Sequence, residues 1–416
     1  MENLRSIRLL LLVFTFSITS VKANPLKDLL HTTLQSAPEV LEATANVDAS
    51  LNRTEQSKAG HWPVVSVTGS GVITQHYKNS TNTKSRITPG VKAEMNLYSF
   101  GAIDKEIEKN VKEEEFYQHK LVSTQEELAY TVSQLYLKAL NLKEAIRVMK
   151  HSLARHNAIL GSLDVIVDND GGRLSEYTQA EARMLTVEQN INRYSKQLAV
   201  TLNTLSKYSN VKITAEDLQN PFQGLTDNVL FAKYTAKDKS QNPSYKAQHA
   251  EWEAKRLAVE VESKKELPKV NLVGYATRDD QYIGVEVSWD ILNRGSRYTV
   301  QEKEIETYAA KQRLERLSRD LEEVAQQSLI NIKESRMQLK TLKAQINASR
   351  KVVDFYKLQF DTARRSLLDV LNAEKDLAEV ELTQANTEAE LSFAILDYLY
   401  SQGTIATWAN QHHQTK

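Results

Sequence analysis

The stretch Arg365-Ser366-Leu367-Leu368-Asp369-Val370-Leu371-Asn372-Ala373-Glu374 decides the reading of this 416-residue chain. It has an earlier echo in Arg173-Leu174-Ser175-Glu176-Tyr177-Thr178-Gln179-Ala180-Glu181. Registering Ala180-Glu181 on Ala373-Glu374 gives an offset of 193 residues and sets Glu176 on Asp369. Each copy follows one long helical pattern and opens another, as the tip of a helical hairpin does. One such match is weak, because acidic, alanine-containing helix starts are common. The surroundings, however, repeat as well. Pro38 and Pro63 are 25 residues apart, and so are Pro243 and Pro268. Phe100-Gly101 and Arg294-Gly295 each close an alternating run and open a long helix. Gly101 to Ala180 spans 79 residues and Gly295 to Ala373 spans 78. Landmarks in one order at near-equal spacings mark an internal duplication. The period is too long for a solenoid unit, so the chain reads as two copies of a helix, β-hairpin, helix, helix module.

The expected organisation follows. Residues 1–23 read as a signal peptide: Arg5 and Arg8 precede a short apolar core, and Val21-Lys22-Ala23 is a small-residue cleavage site. Residues 24–207 form the first repeat with a hairpin at about 64–98, and residues 208–242 form a connector. Residues 243–400 form the second repeat with a hairpin at about 270–291, followed by a polar, mobile tail at 401–416. The chain has no cysteine, which excludes disulfides, thiolate metal sites and cysteine nucleophiles. Lys+Arg and Asp+Glu are equal at 53 each with no basic block, so no nucleic-acid partner is expected. With only 13 Gly and 7 Pro, the elements are long.

Two periodicities divide the chain. Ile87, Pro89, Val91, Ala93, Met95 and Leu97 alternate with Thr88, Gly90, Lys92, Glu94 and Asn96, which predicts a strand with one apolar and one polar face. Ile283, Val285, Val287, Trp289 and Ile291 repeat the pattern against Gly284, Glu286, Ser288 and Asp290. Leu128, Val132, Leu135, Ala139, Leu142, Ile146, Met149 and Leu153 instead recur at alternating spacings of four and three, a coiled-coil seam. A helix from Gly101 to about Val167 would extend on the order of 100 Å. The fold class is therefore mainly α with a small β part: two tandem repeats of long coiled-coil helices plus β-hairpins, four strands per chain. Four strands cannot close a membrane barrel alone, since about eight is the lower limit, but three chains would close one of twelve.

Over essentially its whole mature length the chain resembles outer-membrane channels of the TolC family. The resemblance rests on the duplication, on Leu97-Tyr98-Ser99-Phe100-Gly101, on Trp289-Asp290-Ile291-Leu292-Asn293-Arg294-Gly295, and above all on the segment from Arg365 to Glu374. That last motif resembles members serving type I protein secretion, including the adhesin-exporting branch. What the resemblance implies is a homotrimeric duct whose barrel sits in outer-membrane lipid and whose helical tube lies in the periplasm. It would engage a periplasmic adaptor and an inner-membrane ABC transporter that passes on a secreted protein cargo. Asp369 matches an entrance carboxylate, Asn372 sits where relatives often carry another, Glu176 holds the equivalent position in the first copy, and Arg365 matches a tip arginine. Without the resemblance, each would read as a solvated residue near a helix start, where acids are favoured anyway. The turns Asp168, Asn169, Asp170, Gly171, Gly172, Arg173 and Ala363, Arg364, Ser366 are expected to be distal, exposed and available to the adaptor. Many relatives have Gly just before the Arg-Ser pair, where this chain has Ala363-Arg364, so the second tip is expected to turn differently.

No catalytic constellation stands beside these features. No HExxH, P-loop or nucleophile-elbow spacing occurs. Gly69-Ser70-Gly71 reads as a strand irregularity rather than a dinucleotide loop, and His412-His413 as a solvated pair rather than a metal site. No enzyme activity, cofactor or metal is expected. Protein secretion is the first functional reading, small-molecule efflux the second, and a periplasmic coiled-coil scaffold the third.

Overall fold

A computed structural model describes residues 24–72, 86–208, 213–236, 238–278 and 280–410. The segment read as a signal peptide, the polar loop before Arg86 and His412-His413 lie outside the described residues.

Prolines set the first boundaries. Helix α1 (Pro25–Ser36) stops at Ala37, whose extended backbone (ψ 133°) is what a following proline imposes, and Pro38 then opens α2 (Pro38–Lys58) at its first position. Strands β1 (Val64–Val72) and β2 (Arg86–Tyr98) follow, then α3 (Ala102–Asn169) and α4 (Leu174–Ser206). The connector carries α5 (Asp227–Tyr234). The second repeat runs through α6 (Pro243–Lys265), β3 (Lys269–Thr277), β4 (Gln281–Ser288), α7 (Arg294–Asp361) and α8 (Leu367–Gln402). Asn242 caps α6 by accepting from the Ser244 and Tyr245 amides, and Asn293 caps α7 by accepting from those of Gly295 and Ser296. Strand β4 ends at Ser288, short of the expected 291, because Trp289 leaves the ladder and donates its indole N–H to the Glu266 carbonyl at 3.2 Å.

The two halves match closely: α3 and α7 each hold 68 residues. The four strands form one antiparallel sheet in the order β1-β2-β3-β4, so the β2–β3 pairing stitches the repeats together. Beyond the sheet, α3 packs on α2 and α6, and α6 packs on α7; further along, α3 packs on α4 and α8, and α8 packs on α7. Sheet and tips thus stand at opposite ends of the long helices. Buried residues of α7 keep strict seven-residue steps at Leu314, Leu321, Ser328, Ser335 and Leu342, the repeat that winds helices into a left-handed supercoil. The expected seam of α3 is buried or half-buried at every position from Leu128 to Leu153.

Midway along the helices lies the largest apolar cluster, where α1, α5 and the chain end pack around Tyr136, Leu137 and Leu396. Tyr136 is fixed there by reciprocal hydrogen bonds to the carbonyl (3.0 Å) and amide (2.9 Å) of Gln219. The expected polar tail is corrected here. Gly403, in the left-handed region at φ +65°, ends α8, and a short helix α9 (Ile405–Asn410) docks back into the cluster. Ile405, Trp408 and Ala409 are buried, with Trp408 5.2 Å from the Phe222 ring and Lys27 Nζ 4.6 Å above it. Any side chain at Gly403 would collide with the Pro243 ring.

The amides of Ile405 and Ala406 donate to the buried carboxylate of Glu126 at 2.8 and 2.9 Å. Burial outweighs these bonds and pushes the Glu126 carboxyl up to about 6. The folded chain then binds a proton that the unfolded chain has released. Stability therefore falls as pH rises from the ordinary carboxylate range to about 6, by on the order of 2 kcal/mol. Thermal melts followed by tryptophan fluorescence should show Glu126→Gln gaining relative to wild type between pH 4.5 and pH 7. Parallel pH profiles of the two proteins would contradict the assignment.

Candidate functional site

Two features of the fold stand out as functional: the paired helical tips at one end and the exposed sheet at the other. At the first tip α3 runs through Asp168 and Asn169, so the break is shorter than the sequence suggests and starts at Asp170. The Asp170 carboxylate accepts from the Gly172 amide at 3.0 Å, closing one 3-10 turn over Gly171–Arg173. Arg173 Nη2 then donates to Glu176 at 2.7 Å, while its guanidinium lies 5.5 Å from the Phe360 ring of α7. One arginine thus neutralises the acidic residue of its own tip and reaches across to the other hairpin.

The second tip turns without glycine. Ala363 takes the left-handed conformation at φ +57°. Its amide donates to the Phe360 carbonyl at 2.8 Å, and the Arg364 amide to that of Gln359 at 2.8 Å. This is the paired pattern of a Schellman helix end, normally built on glycine. Ser366 then caps α8: the Asp369 amide donates to its hydroxyl at 3.2 Å, and the hydroxyl donates to the Asp369 carboxylate at 2.8 Å. Arg365 lies over the Tyr356 ring at 4.0 Å, donates to Gln359 Oε1 at 3.2 Å, and holds Nη1 3.8 Å from Asp369 Oδ2. Asn372 is exposed one turn on.

Within one chain, then, Glu176 meets Arg173 and Asp369 meets Arg365, but the two acids do not share a site. The tips are joined instead by an apolar cluster of Ile159, Leu163, Ala180, Phe360, Leu367, Val370 and Leu371, which makes the two hairpins end as one unit. Sequence reasoning missed Tyr356, Gln359 and Phe360, the surface on which both arginines rest. Their only signal was an aromatic pair at helical spacing just before a turn.

At the sheet, register sorts the side chains onto two faces. Val67 opposes Val91, Val91 opposes Ala276, and Leu272 opposes Val285, so one face is continuously apolar. That face is bare: Val67 is 84% and Ile283 81% exposed. The opposite face carries a polar ladder, with Lys92 Nζ 2.7 Å from Glu94, Asn96 donating to Asn271 at 2.9 Å, and Asn271 donating to Glu94 at 3.1 Å. A bulge between Asn96 and Tyr98 interrupts the expected alternation at Leu97. Trp62, Tyr98, Trp289 and Tyr298 are exposed where the sheet meets the helices. Among the described residues no helix is long and apolar enough to cross a membrane.

The family model of the outer membrane efflux protein matches residues 29–211 and 237–394. The chain belongs to the outer membrane efflux protein family. No curated protein matches it. Among solved structures it is similar to the outer membrane protein VceC from Vibrio cholerae, with 14% identity and a TM-score of 0.78 over 91% of this chain and 96% of that one. It is similar to the Campylobacter jejuni CmeC outer membrane channel, with 14% identity and a TM-score of 0.78 over 94% and 89%. It also resembles the open state of the Neisseria gonorrhoeae MtrE outer membrane channel, with 15% identity and a TM-score of 0.76 over 91% and 89%. These likenesses fix the fold. Membership of the efflux protein family makes the chain a non-enzymatic duct of the outer membrane, with its helical tube on the periplasmic side. The bare apolar face is then the lipid face, the polar ladder faces the lumen, and the aromatic residues mark the membrane boundary.

Two outcomes test this geometry. Val67→Arg or Val285→Arg should each cost about 2–4 kcal/mol at mid-membrane and sharply reduce the assembled protein recovered from outer membranes, whereas Ser66→Asn and Glu286→Gln should not; equal recovery of all four would reverse the faces. Ala363→Gly should remove about 1 kcal/mol of backbone strain, and Ser366→Ala should lose a cap of about 1 kcal/mol. The protease resistance of the second tip should therefore rise in the first variant and fall in the second.

Proposed function

We propose that this efflux-family chain is the outer membrane duct of a tripartite type I secretion system. Three copies close a twelve-stranded barrel over a helical tube. A periplasmic adaptor docks on the tips, and an inner-membrane ABC transporter supplies the energy. The cargo is a secreted protein, of the large adhesin class that the tip motif favours.

The observation that carries this reading is the local balance of charge at the entrance. Asp369 stands beside its own Arg365 and Ser366, Glu176 is paired with Arg173, and the next acidic position of the motif is Asn372. An entrance balanced in this way presents only a weak field to a passing solute, which suits a polypeptide of mixed charge. Small-molecule efflux is the second reading, favoured by the description of the family itself.

A strain lacking the chain separates the two. Protein secretion predicts loss of a large protein from the cell surface with unchanged drug susceptibility. Retained secretion with raised susceptibility selects efflux. Combined substitution of Gly171, Gly172, Ala363 and Arg364 should abolish export while leaving trimers intact, and export through such trimers would place adaptor docking elsewhere.

The entrance itself is tested in planar bilayers. Arg365→Ser removes the cation from Asp369 and the stacked side chain from Tyr356, so resting conductance and cation preference should both rise. Asp369→Asn should lower cation preference without preventing assembly. Unchanged conductance and reversal potential in both variants would remove these residues from the constriction.

A further inference from the structure

Between the tips and the mid-length cluster, a charged stack is set into the apolar seam of the helical bundle. On α8, Leu367, Glu374 and Glu381 occupy the same position of successive heptads. Leu367 belongs to the tip core, but the two glutamates, only 0% and 9% exposed, hold seam positions where a leucine would be expected. Arg155 of α3 lies between them, with Nε 2.6 Å from Glu374 and Nη2 3.2 Å from Glu381. From α7, two further cations one heptad apart complete the set. Lys357 Nζ is 2.7 Å from Glu374 Oε1, as an ion pair without hydrogen-bond alignment, and Arg350 Nη2 is 2.9 Å from Glu381 Oε1. Charges alternate along the stack in the order Lys357, Glu374, Arg155, Glu381, Arg350, and three helices of both hairpins contribute.

Apolar packing continues around it: Ile159, Phe360 and Leu371 lie toward the tips, Val353 and Leu377 beside the stack, and Val148 and Ala385 toward the middle of the helices. Stability does not call for charges at this depth, because desolvation offsets most of their attraction and well-packed apolar side chains commonly hold such a site as well or better. An apolar seam lacks something else. Leucines one heptad apart are interchangeable, so a helix can slip or unwind against its neighbours at little cost. A charged layer opposes a heptad slip in either direction. One way, Leu367 would face Lys357 and leave that cation unpaired; the other way, Glu381 and Glu388 would restore the pairs, but Glu374 would enter the apolar tip core beside Phe360 and Leu371. Polar groups at seam positions fix register in coiled coils in this way, at some expense of stability.

We propose that the stack is a register lock. Arg155 on the α3–α4 hairpin fixes the height and rotation of α8, and so keeps Arg365 and Asp369 level with Asp170 and Arg173. The conductance arm of the test below rests on the tips being the entrance; the distance arm does not.

Because the chain has no cysteine, spin labels can be placed through single cysteines at the exposed positions Thr178 on α4 and Lys375 on α8. Labelled chains are diluted into unlabelled ones, and the distance within a chain is measured by pulsed electron paramagnetic resonance. The wild-type stack should give one narrow distribution. The triple variant Arg155→Met, Glu374→Leu, Glu381→Leu should broaden it at least twofold or split it, with a thermal midpoint no lower than wild type. Glu374→Gln, which leaves Lys357 unpaired and Arg155 with Glu381 alone, should lower that midpoint. In bilayers the triple variant should at least double resting conductance. A single narrow distance in the triple variant overturns the lock. Failure of that variant to assemble also overturns it, by making the stack a source of stability rather than of register. A broadened distance with conductance unchanged in both the triple variant and Arg365→Ser leaves the lock standing and removes the entrance reading.

Discussion

Every backbone N–H and C=O in a membrane must find a partner within the protein, and that constraint governs this chain. The β2–β3 pairing satisfies the interior of the sheet and binds the repeats together, while β1 and β4 each present an open edge. The apolar face and the open edges belong to one problem. Side chains such as Val67 and Ile283 are placed for lipid, but their strands are tenable there only in a closed barrel. Closure is therefore a condition of the fold, and duplication supplies it economically: one hairpin per repeat, with equal helices behind each.

The helices carry this symmetry toward the periplasm. Because α3 and α7 have equal lengths, both hairpins end at the same tip cluster. A strict heptad on α7 keeps its buried stripe turned toward its neighbours over a distance where a straight helix would drift away. Midway, Tyr136 and Glu126 anchor the connector and the chain end against α3, so both ends of the described chain and the link between repeats meet in one cluster. The ends of the long helices are left to the sheet and to the tips.

At the tips, aromatic rings and arginines hold the two hairpins together. Tyr356 and Phe360 belong to α7 alone, yet each supports an arginine from a different hairpin. The carboxylates gain a local counter-charge, and the hairpins gain contacts that depend on their relative height. The charged seam above the tips bears on the same variable, since a small shift of α8 would move Arg365 and Asp369 together.

The sequence by itself determined the duplication, the strand faces, the helix lengths and the location of both tips. These are written in local spacing, with period two for strands, four and three for seams, and prolines and glycines at the joints. The docked α9 was hidden because four apolar residues, two of them alanines, among Gln402, Thr404 and Asn410 are too few to outweigh a polar composition. Ala363 at a left-handed position was equally hidden, since its strain is sustained by the helix end and cap around it. The pairing of Arg173 with Glu176 lies within one helical turn, but its stacking on Phe360 spans nearly the whole distance between the repeats. Only the tertiary structure decided which cation serves which carboxylate. Charge pairing across helices depends on side chains brought together from α3, α7 and α8, and no spacing along one chain segment encodes it.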